Sequence, residues 1–154
     1  MYSTLKMLRR MEILTMIMYL LHIVGALSMG FYLILPFVVG KIRTLNAAAQ
    51  EGAFTSVRSL NRIAQYGLVI QLLTGGYLMT KGEYSHLWMG VVVVLLLAIA
   101  AIGGIMGKPL RLAAEGVKSN RDVSPEQGKI RMFSTILAVL LLIMVYLMVD
   151  RTII

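Results

Sequence analysis

Four long apolar runs, separated by polar segments, dominate the hydrophobic pattern of the chain. The first run, residues 13–40, contains no Asp, Glu, Lys or Arg, and the others cover residues 64–80, 87–107 and 132–149. Because a helix needs about 20 apolar residues to cross the hydrocarbon core of a bilayer, each run predicts a membrane-spanning helix. The chain is therefore predicted to be all-α, an integral membrane four-helix bundle that forms one domain over residues 1–154.

The segments between the runs indicate how the helices are connected. Residues 81–86 are short enough for a turn, so the second and third helices are predicted to be antiparallel neighbours. Residues 41–63 contain many helix formers and few breakers, which predicts a helical extension of the first two spans. The tetrapeptide at 124–127 is typical of a helix start, with Ser124 as N-cap and Pro125 at the first helical position.

The composition identifies the class of protein. The chain is 58% hydrophobic and 14% charged, whereas soluble domains carry roughly 25% charged residues. The net charge of +8 is explained by basic residues that flank the spans and attract anionic lipid headgroups. The lipid bilayer is therefore the expected partner and nucleic acid is not. The absence of Cys excludes disulfides, iron–sulfur clusters and thiolate catalysis.

The distribution of basic residues predicts the topology. Ten of the 15 Lys and Arg residues lie in the loops after the first and third runs: Lys41, Arg43, Arg58, Arg62, Lys108, Arg111, Lys118, Arg121, Lys129 and Arg131. Because Lys and Arg concentrate on the cytoplasmic side of a membrane, both long loops and their helical extensions are predicted to be cytoplasmic. Both termini are then outside, as expected for a multi-pass protein of a bacterial inner membrane.

Polar and small residues inside the runs predict where the helices pack. Gln71 and Thr74 are three positions apart on one face of the second span, and an amide in hydrocarbon needs a partner, so this face is predicted to point into the bundle. Gly103 and Gly107 form a small-xxx-small pair that allows close packing on another helix, in the bundle or in a neighbouring protomer. Pro109 follows this pair and predicts that the third helix ends or bends there.

His22 is the only histidine in the first run, and Gly25 and Ala26 follow it at helical spacing. A polar side chain inside hydrocarbon needs a partner. Two main interpretations stay open, and metal binding or proton handling is a third. In the first, a neutral imidazole is hydrogen-bonded to Thr74, Tyr77 or Gln71 at similar depth on the second span. In the second, His22 ligates a haem iron, and Gly25 and Ala26 leave room for the macrocycle.

The other candidate side chains, which are His86, the methionines and the acidic residues, give weaker indications of function. His86 differs from His22 in depth by roughly 9 Å, too much for both to ligate one upright haem, so His86 is interpreted as an interfacial residue. The 12 methionines suggest copper handling as an alternative, although scattered methionines are typical of apolar packing. No acidic residue lies deep in any run, which excludes a carboxylate proton relay, and no catalytic residues are predicted.

The segment LHIVGALSMGFYLILPFVV, with Leu21-His22, Gly25 and Gly30-Phe31, resembles the first helix of a group of small bacterial membrane proteins. That group includes the copper-resistance CopD family and the HemJ-type protoporphyrinogen oxidases. The segment NRIAQYGLVIQLLTGGYLM resembles their second helix, so the likeness covers roughly the first half of the chain. It implies contact with haem b or another porphyrin at His22.

The resemblance departs from the oxidases in the third helix. HemJ-type oxidases carry Trp-Leu-x-x-Lys there, whereas here Met89 follows Trp88 and Val92 stands where that Lys would be. Three functions are therefore carried forward. The first is a haem- or porphyrin-contacting, redox-associated membrane protein that uses His22. The second is a non-catalytic accessory subunit of a homo-oligomer or larger membrane complex, packed by its glycine faces. The third is a copper-handling membrane protein.

The predicted topology can be tested with single-cysteine variants, because the natural chain contains no Cys. Ser119→Cys, in the loop after the third run, and Gly82→Cys, in the short turn, should react with a membrane-impermeant thiol reagent from opposite sides. We expect Gly82→Cys to label in intact cells and Ser119→Cys to label only after permeabilisation. Labelling of Ser119→Cys in intact cells would contradict the cytoplasmic assignment.

Overall fold

The computed structural model describes residues 2–150, with only the backbone of Ser3. Its helices are α1 (Tyr2–Met29), α2 (Phe31–Ile42), α3 (Ala47–Met79), α4 (His86–Lys118) and α5 (Ser124–Val149). Gly30 alone separates α1 from α2, so these two form one N-terminal rod, and the molecule consists of four rods. The predicted all-α fold is confirmed, and residues 2–150 contain no strand.

Three of the rods are long and apolar enough to cross a membrane: Thr4–Ile42, His86–Lys118 and Ser124–Val149. Their length and apolar composition are consistent with a membrane protein. Polar residues such as Gln65 and Gln71 interrupt the apolar half of α3, and the prediction that α3 crosses the membrane stays a prediction. At roughly 1.5 Å per residue, the 33 residues of α3 and the 33 of α4 each extend about 50 Å, beyond the ~30 Å hydrocarbon core.

The N-terminal rod changes neighbours along its length. Its second half, α2, packs against α5 and α3, whereas its first half, α1, packs against α3. Within residues 2–150, no Cα atom of α1 lies within 8 Å of a Cα atom in α4 or α5. The bundle is therefore closed around α2 and open on one side of α1.

Burial follows this arrangement. The largest fully buried side chains are Met29, Tyr32, Leu35, Val39, Ile42, Phe54, Ile99, Met106, Leu110, Ile130, Ser134 and Leu137. Except for Met29, at the end of α1, they lie on α2, α3, α4 and α5. Most of α1 is exposed, and Leu27 is 73% accessible. The tightly packed core therefore lies in the half of the bundle that carries the two long loops.

The loops are short because the helices continue into the polar segments. α3 begins at Ala47, where the Asn46 side chain accepts a hydrogen bond from the Ala49 amide at 2.9 Å. The predicted helical extensions are therefore found, and α4 continues through Pro109 to Lys118 without ending there. A proline removes one helical hydrogen bond, but Pro109 and Leu110 are both buried in the core, and their packing offsets that loss.

The α4–α5 turn corrects one detail of the sequence prediction. Ser124 is the first residue of α5 and not its N-cap, which is Val123. The Asp122 carboxylate accepts hydrogen bonds from the Ser124 hydroxyl at 2.7 Å and from the Ser124 amide at 3.0 Å. These two bonds lower the pKa of the Asp122 carboxyl, the bond from the hydroxyl most strongly. A charged acceptor two residues before the helix therefore takes the place of the predicted serine cap.

The two glycines predicted to pack on another helix have different surroundings. A Cβ placed on Gly103 would lie 2.6 Å from the Tyr32 hydroxyl and would also collide with the Gln65 amide. No atom lies within 4 Å of a Cβ placed on Gly107 or on Gly104. Gly103 therefore allows close approach inside the bundle, and the packing of Gly107 against a neighbouring protomer stays a prediction.

Gly103→Leu should destabilise the bundle by roughly 1–3 kcal/mol, the usual range for overpacking a core, because Tyr32 and Gln65 would have to move. Gly104→Leu is the matched control, since it adds the same side chain one position along α4 in open space. We expect a lower thermal unfolding midpoint in detergent for Gly103→Leu and little change for Gly104→Leu. Equal midpoints for the two variants would contradict the close approach at Gly103.

Candidate functional site

The contact between α1 and α3 is formed by glycines. Gly25 and Gly67 are both buried, and a Cβ on Gly25 would lie 3.0 Å from the Gly67 carbonyl oxygen. A Cβ on Gly67 would lie 2.8 Å from the Ser28 Cβ. The two backbones therefore approach as closely as small residues permit, which is the usual way for helices to pack inside a membrane. This contact sets the position of His22, one turn before Gly25.

His22 points at the α3 residue that the sequence analysis named as a partner. Its Nδ1 atom lies 2.9 Å from the Thr74 hydroxyl oxygen. That hydroxyl donates its single hydrogen to the Ile70 carbonyl at 2.6 Å, so it can only accept from the imidazole. His22 Nδ1 therefore carries a hydrogen and donates to Thr74. In a neutral imidazole the Nε2 atom then keeps its lone pair.

The surroundings of the ring hold this orientation. The Cε1 atom of His22 lies 3.3 Å from where a Cβ on Gly75 would be, so any larger residue at position 75 would crowd the imidazole. The Gln71 amide donates to the His22 carbonyl at 3.0 Å. The Gln71 Oε1 atom is buried without a hydrogen-bond partner among residues 2–150. Three polar or small residues of α3, Gln71, Thr74 and Gly75, thus contact His22.

The Nε2 atom of His22 is free to interact. No hydrogen bond joins it to any of residues 2–150, and it is not among the side-chain atoms of that part of the chain that are buried without a partner. The residue itself is half-buried. An imidazole whose one nitrogen donates to a hydroxyl, and whose other presents a lone pair, can ligate a metal or accept a hydrogen bond.

The other residues that the sequence analysis considered have different surroundings in the structure. The space beside Gly25 is occupied by α3, whereas Ala26 is exposed. The Tyr77 hydroxyl lies 3.4 Å from the Thr15 hydroxyl and not beside His22. His86 is the exposed first residue of α4. Within residues 2–150, no three His, Cys, Asp or Glu side chains form a group that could hold a metal ion.

A second polar cluster, which the sequence analysis did not identify, lies in the tightly packed half. The Tyr32 hydroxyl donates to Asn61 Oδ1 at 3.0 Å, and the Asn61 amide donates to the Gly103 carbonyl at 3.0 Å. The Gln65 amide donates to the Tyr32 hydroxyl at 3.0 Å. Asn61 and Gln65 are four positions apart, a spacing that puts both on one helix face. Two amide side chains on one helix face are the sequence feature from which this cluster could have been predicted.

The hydrogen bond between His22 and Thr74 can be tested by nitrogen NMR. The chain has 2 histidines, so ¹⁵N-histidine labelling gives a simple spectrum. We expect His22 in the wild type to show a protonated Nδ1 and an Nε2 that carries no hydrogen. Thr74→Val should change this pattern, because the acceptor is lost, and should leave the His86 signals unchanged.

Thr80→Val is the matched control, since Thr80 bonds only to the nearby Tyr77 carbonyl. This control should leave the spectrum of His22 as in the wild type. A wild-type His22 with a bare Nδ1 would contradict the assigned donor, as would a Thr74→Val spectrum identical to that of the wild type.

Comparison with known proteins gives no independent guide to this site. No protein-family model matches the chain. Neither a curated protein nor a solved structure shows significant similarity to it. The resemblance to the CopD and HemJ group therefore depends on the quoted residues alone and stays a hypothesis.

Proposed function

We propose that the chain is a haem- or porphyrin-contacting, redox-associated membrane protein in which His22 would hold the haem iron through Nε2. The supporting observation is the hydrogen bond from His22 Nδ1 to Thr74 at 2.9 Å, which keeps the Nε2 lone pair available. Histidines that ligate metals usually donate the hydrogen of their other nitrogen to a neighbouring acceptor. A haem bound there would supply one-electron redox chemistry.

The residues around His22 would have different roles in binding a haem. Thr74 holds the tautomer and the orientation of the ring, and Gly75 leaves space for it. Two small residues were proposed to accommodate the macrocycle. The space beside Gly25 is occupied by the α3 backbone, whereas Ala26 is exposed. A flat ligand is therefore proposed to lie against the open side of α1, where no α4 or α5 residue of the described chain approaches.

Of the two histidines, only His22 lies at that depth in the described chain. His86 lies at the start of α4 and is exposed, whereas His22 lies opposite Thr74, five residues before the end of α3. Within this chain His22 is therefore the residue proposed to hold the group, in a homo-oligomer or larger complex of the inner membrane.

A second candidate function is that of a non-catalytic accessory subunit of a membrane complex. The observation that favours it is the exposure of α1, which packs against α3 but not against α4 or α5 in the described chain. Leu20, Ile23 and Leu27 are each more than half accessible along this helix. In this case His22 Nε2 would accept a hydrogen bond from a donor on the neighbouring protein. No feature of the structure favours copper handling over these two functions.

An absorption spectrum of the purified protein distinguishes the two candidate functions. If His22 ligates haem, the wild type from haem-replete cells should show a Soret band. His22→Ala should remove or shift that band while the far-UV circular dichroism stays helical. His86→Ala, which removes the other histidine, is the control and should leave the band unchanged.

A colourless wild-type protein from those cells would contradict the haem proposal. The accessory-subunit function instead predicts that His22→Ala lowers stability by roughly 1–3 kcal/mol, the range for a hydrogen-bond partner left unsatisfied. This change would be measured as a lower thermal unfolding midpoint, without any change in visible absorption.

A further inference from the structure

A groove between α3 and α4 has features of an anion site. It has a volume of about 450 Å³ and is lined by Arg58, Asn61, Arg62, Gln65, Gly104, Gly107, Lys108 and Arg111. This volume lies within the usual range of about 300–1,000 Å³ for small-molecule sites. We refer to these eight residues as the basic groove. Its four α3 residues precede the Gly67 contact with α1, whereas Thr74, the partner of His22, follows it.

The four cations of the basic groove follow the spacing of two helix faces. Arg58 and Arg62 are four positions apart on α3, and Lys108 and Arg111 are three apart on α4. Residues at these spacings lie on one side of a helix, so each helix contributes two cations to the same groove. No acidic side chain lines the groove.

The positive charge of the groove is largely uncompensated. Arg111 lies 3.8 Å from Glu115 in an exposed pair, and such pairs contribute little. Arg58, Arg62 and Lys108 form no ion pair within residues 2–150. Like charges held at this density repel one another, and a bound anion would remove that repulsion.

The shape of the groove is held open by glycines and by a fixed polar floor. Nothing lies within 4 Å of a Cβ placed on Gly104 or Gly107, so these positions leave space between the cations. Asn61 and Gln65 are held in place by their hydrogen bonds to Tyr32, and Asn61 also bonds to the Gly103 carbonyl. An anion entering this space would meet a floor that is held in place by hydrogen bonds, with the cations around it.

We propose that the basic groove binds the phosphate group of an anionic membrane phospholipid. The groove lies where the apolar run of α4 ends at Gly107 and Lys108 begins the polar segment, which is the level of lipid headgroups. Ile63, Tyr66 and Ile105, next to the groove on the same two helices, are 52%, 65% and 58% exposed. Tyr66 and Ile105 each follow a groove residue, Gln65 or Gly104, in sequence, so their exposed side chains are available to the acyl chains of a bound lipid, which a free phosphate lacks.

The test uses the full chain in a zwitterionic detergent and titrates three probes separately: dioleoyl phosphatidylglycerol, dioleoyl phosphatidylcholine and inorganic phosphate. Ligands that bind the folded state raise the thermal unfolding midpoint, and the titration gives an apparent affinity. We expect phosphatidylglycerol to raise the midpoint of the wild type. Phosphatidylcholine and inorganic phosphate should leave it nearly unchanged.

Two kinds of variant identify the groove as the site. Arg58→Gln with Arg62→Gln should weaken the apparent affinity for phosphatidylglycerol by about tenfold or more, given the usual contribution of each basic residue to binding of anionic lipids. Lys129→Gln with Arg131→Gln is the matched control, because it removes the same charge from exposed positions on α5 outside the groove. The control should bind as the wild type does.

Gly104→Leu tests the space itself, since it fills the groove without changing a charge. It should weaken binding while leaving the unfolding midpoint without lipid unchanged, which separates a lost site from a damaged fold. An equal loss of affinity in the two double variants would overturn the proposal in favour of general surface charge. Wild-type binding by Gly104→Leu, or equal stabilisation by phosphatidylcholine or by inorganic phosphate, would also overturn it.

Discussion

The hydrogen bonds from Tyr32 through Asn61 to the Gly103 carbonyl connect three helices in the most buried part of the molecule. In a bilayer, apolar side chains gain little by leaving lipid for one another, because lipid tails are as apolar as leucine. Polar bonds and the close approach of small residues therefore decide which helices pack. Gly103 serves both purposes, since it accepts the bond and leaves space for the Tyr32 hydroxyl.

The same two kinds of contact recur where α1 meets α3. Gly25 and Gly67 bring the backbones together, and His22 donates to Thr74 at the same interface. These contacts hold α1 to α3, while α2 is held to α5 and α3. A single rod with two different sets of neighbours leaves one side of the bundle open beside α1. The proposed ligand or partner of His22 depends on that opening.

The molecule thus has two separate candidate functional sites. One is the half-buried imidazole between α1 and the second half of α3, and the other is the basic groove between the first half of α3 and the second half of α4. Asn61 and Gln65 belong both to the polar cluster around Tyr32 and to the basic groove. The packing of the bundle therefore also fixes the position of two groove residues. No residue contributes to both regions.

The sequence by itself predicted the helices, their membrane-like character and a set of candidate partners for His22 that included Thr74, because run length, composition and depth along a span follow from a regular rise per residue. The structure then selected Thr74 from that set. Other features depended on the tertiary structure: the continuation of α4 through Pro109, the open space at Gly107 and the burial of Asn61 between helices. Helical periodicity places a residue on a face, but the neighbour of that face depends on how the helices cross. Gly103 and Gly107 therefore look alike in sequence, yet one meets Tyr32 and the other meets open space.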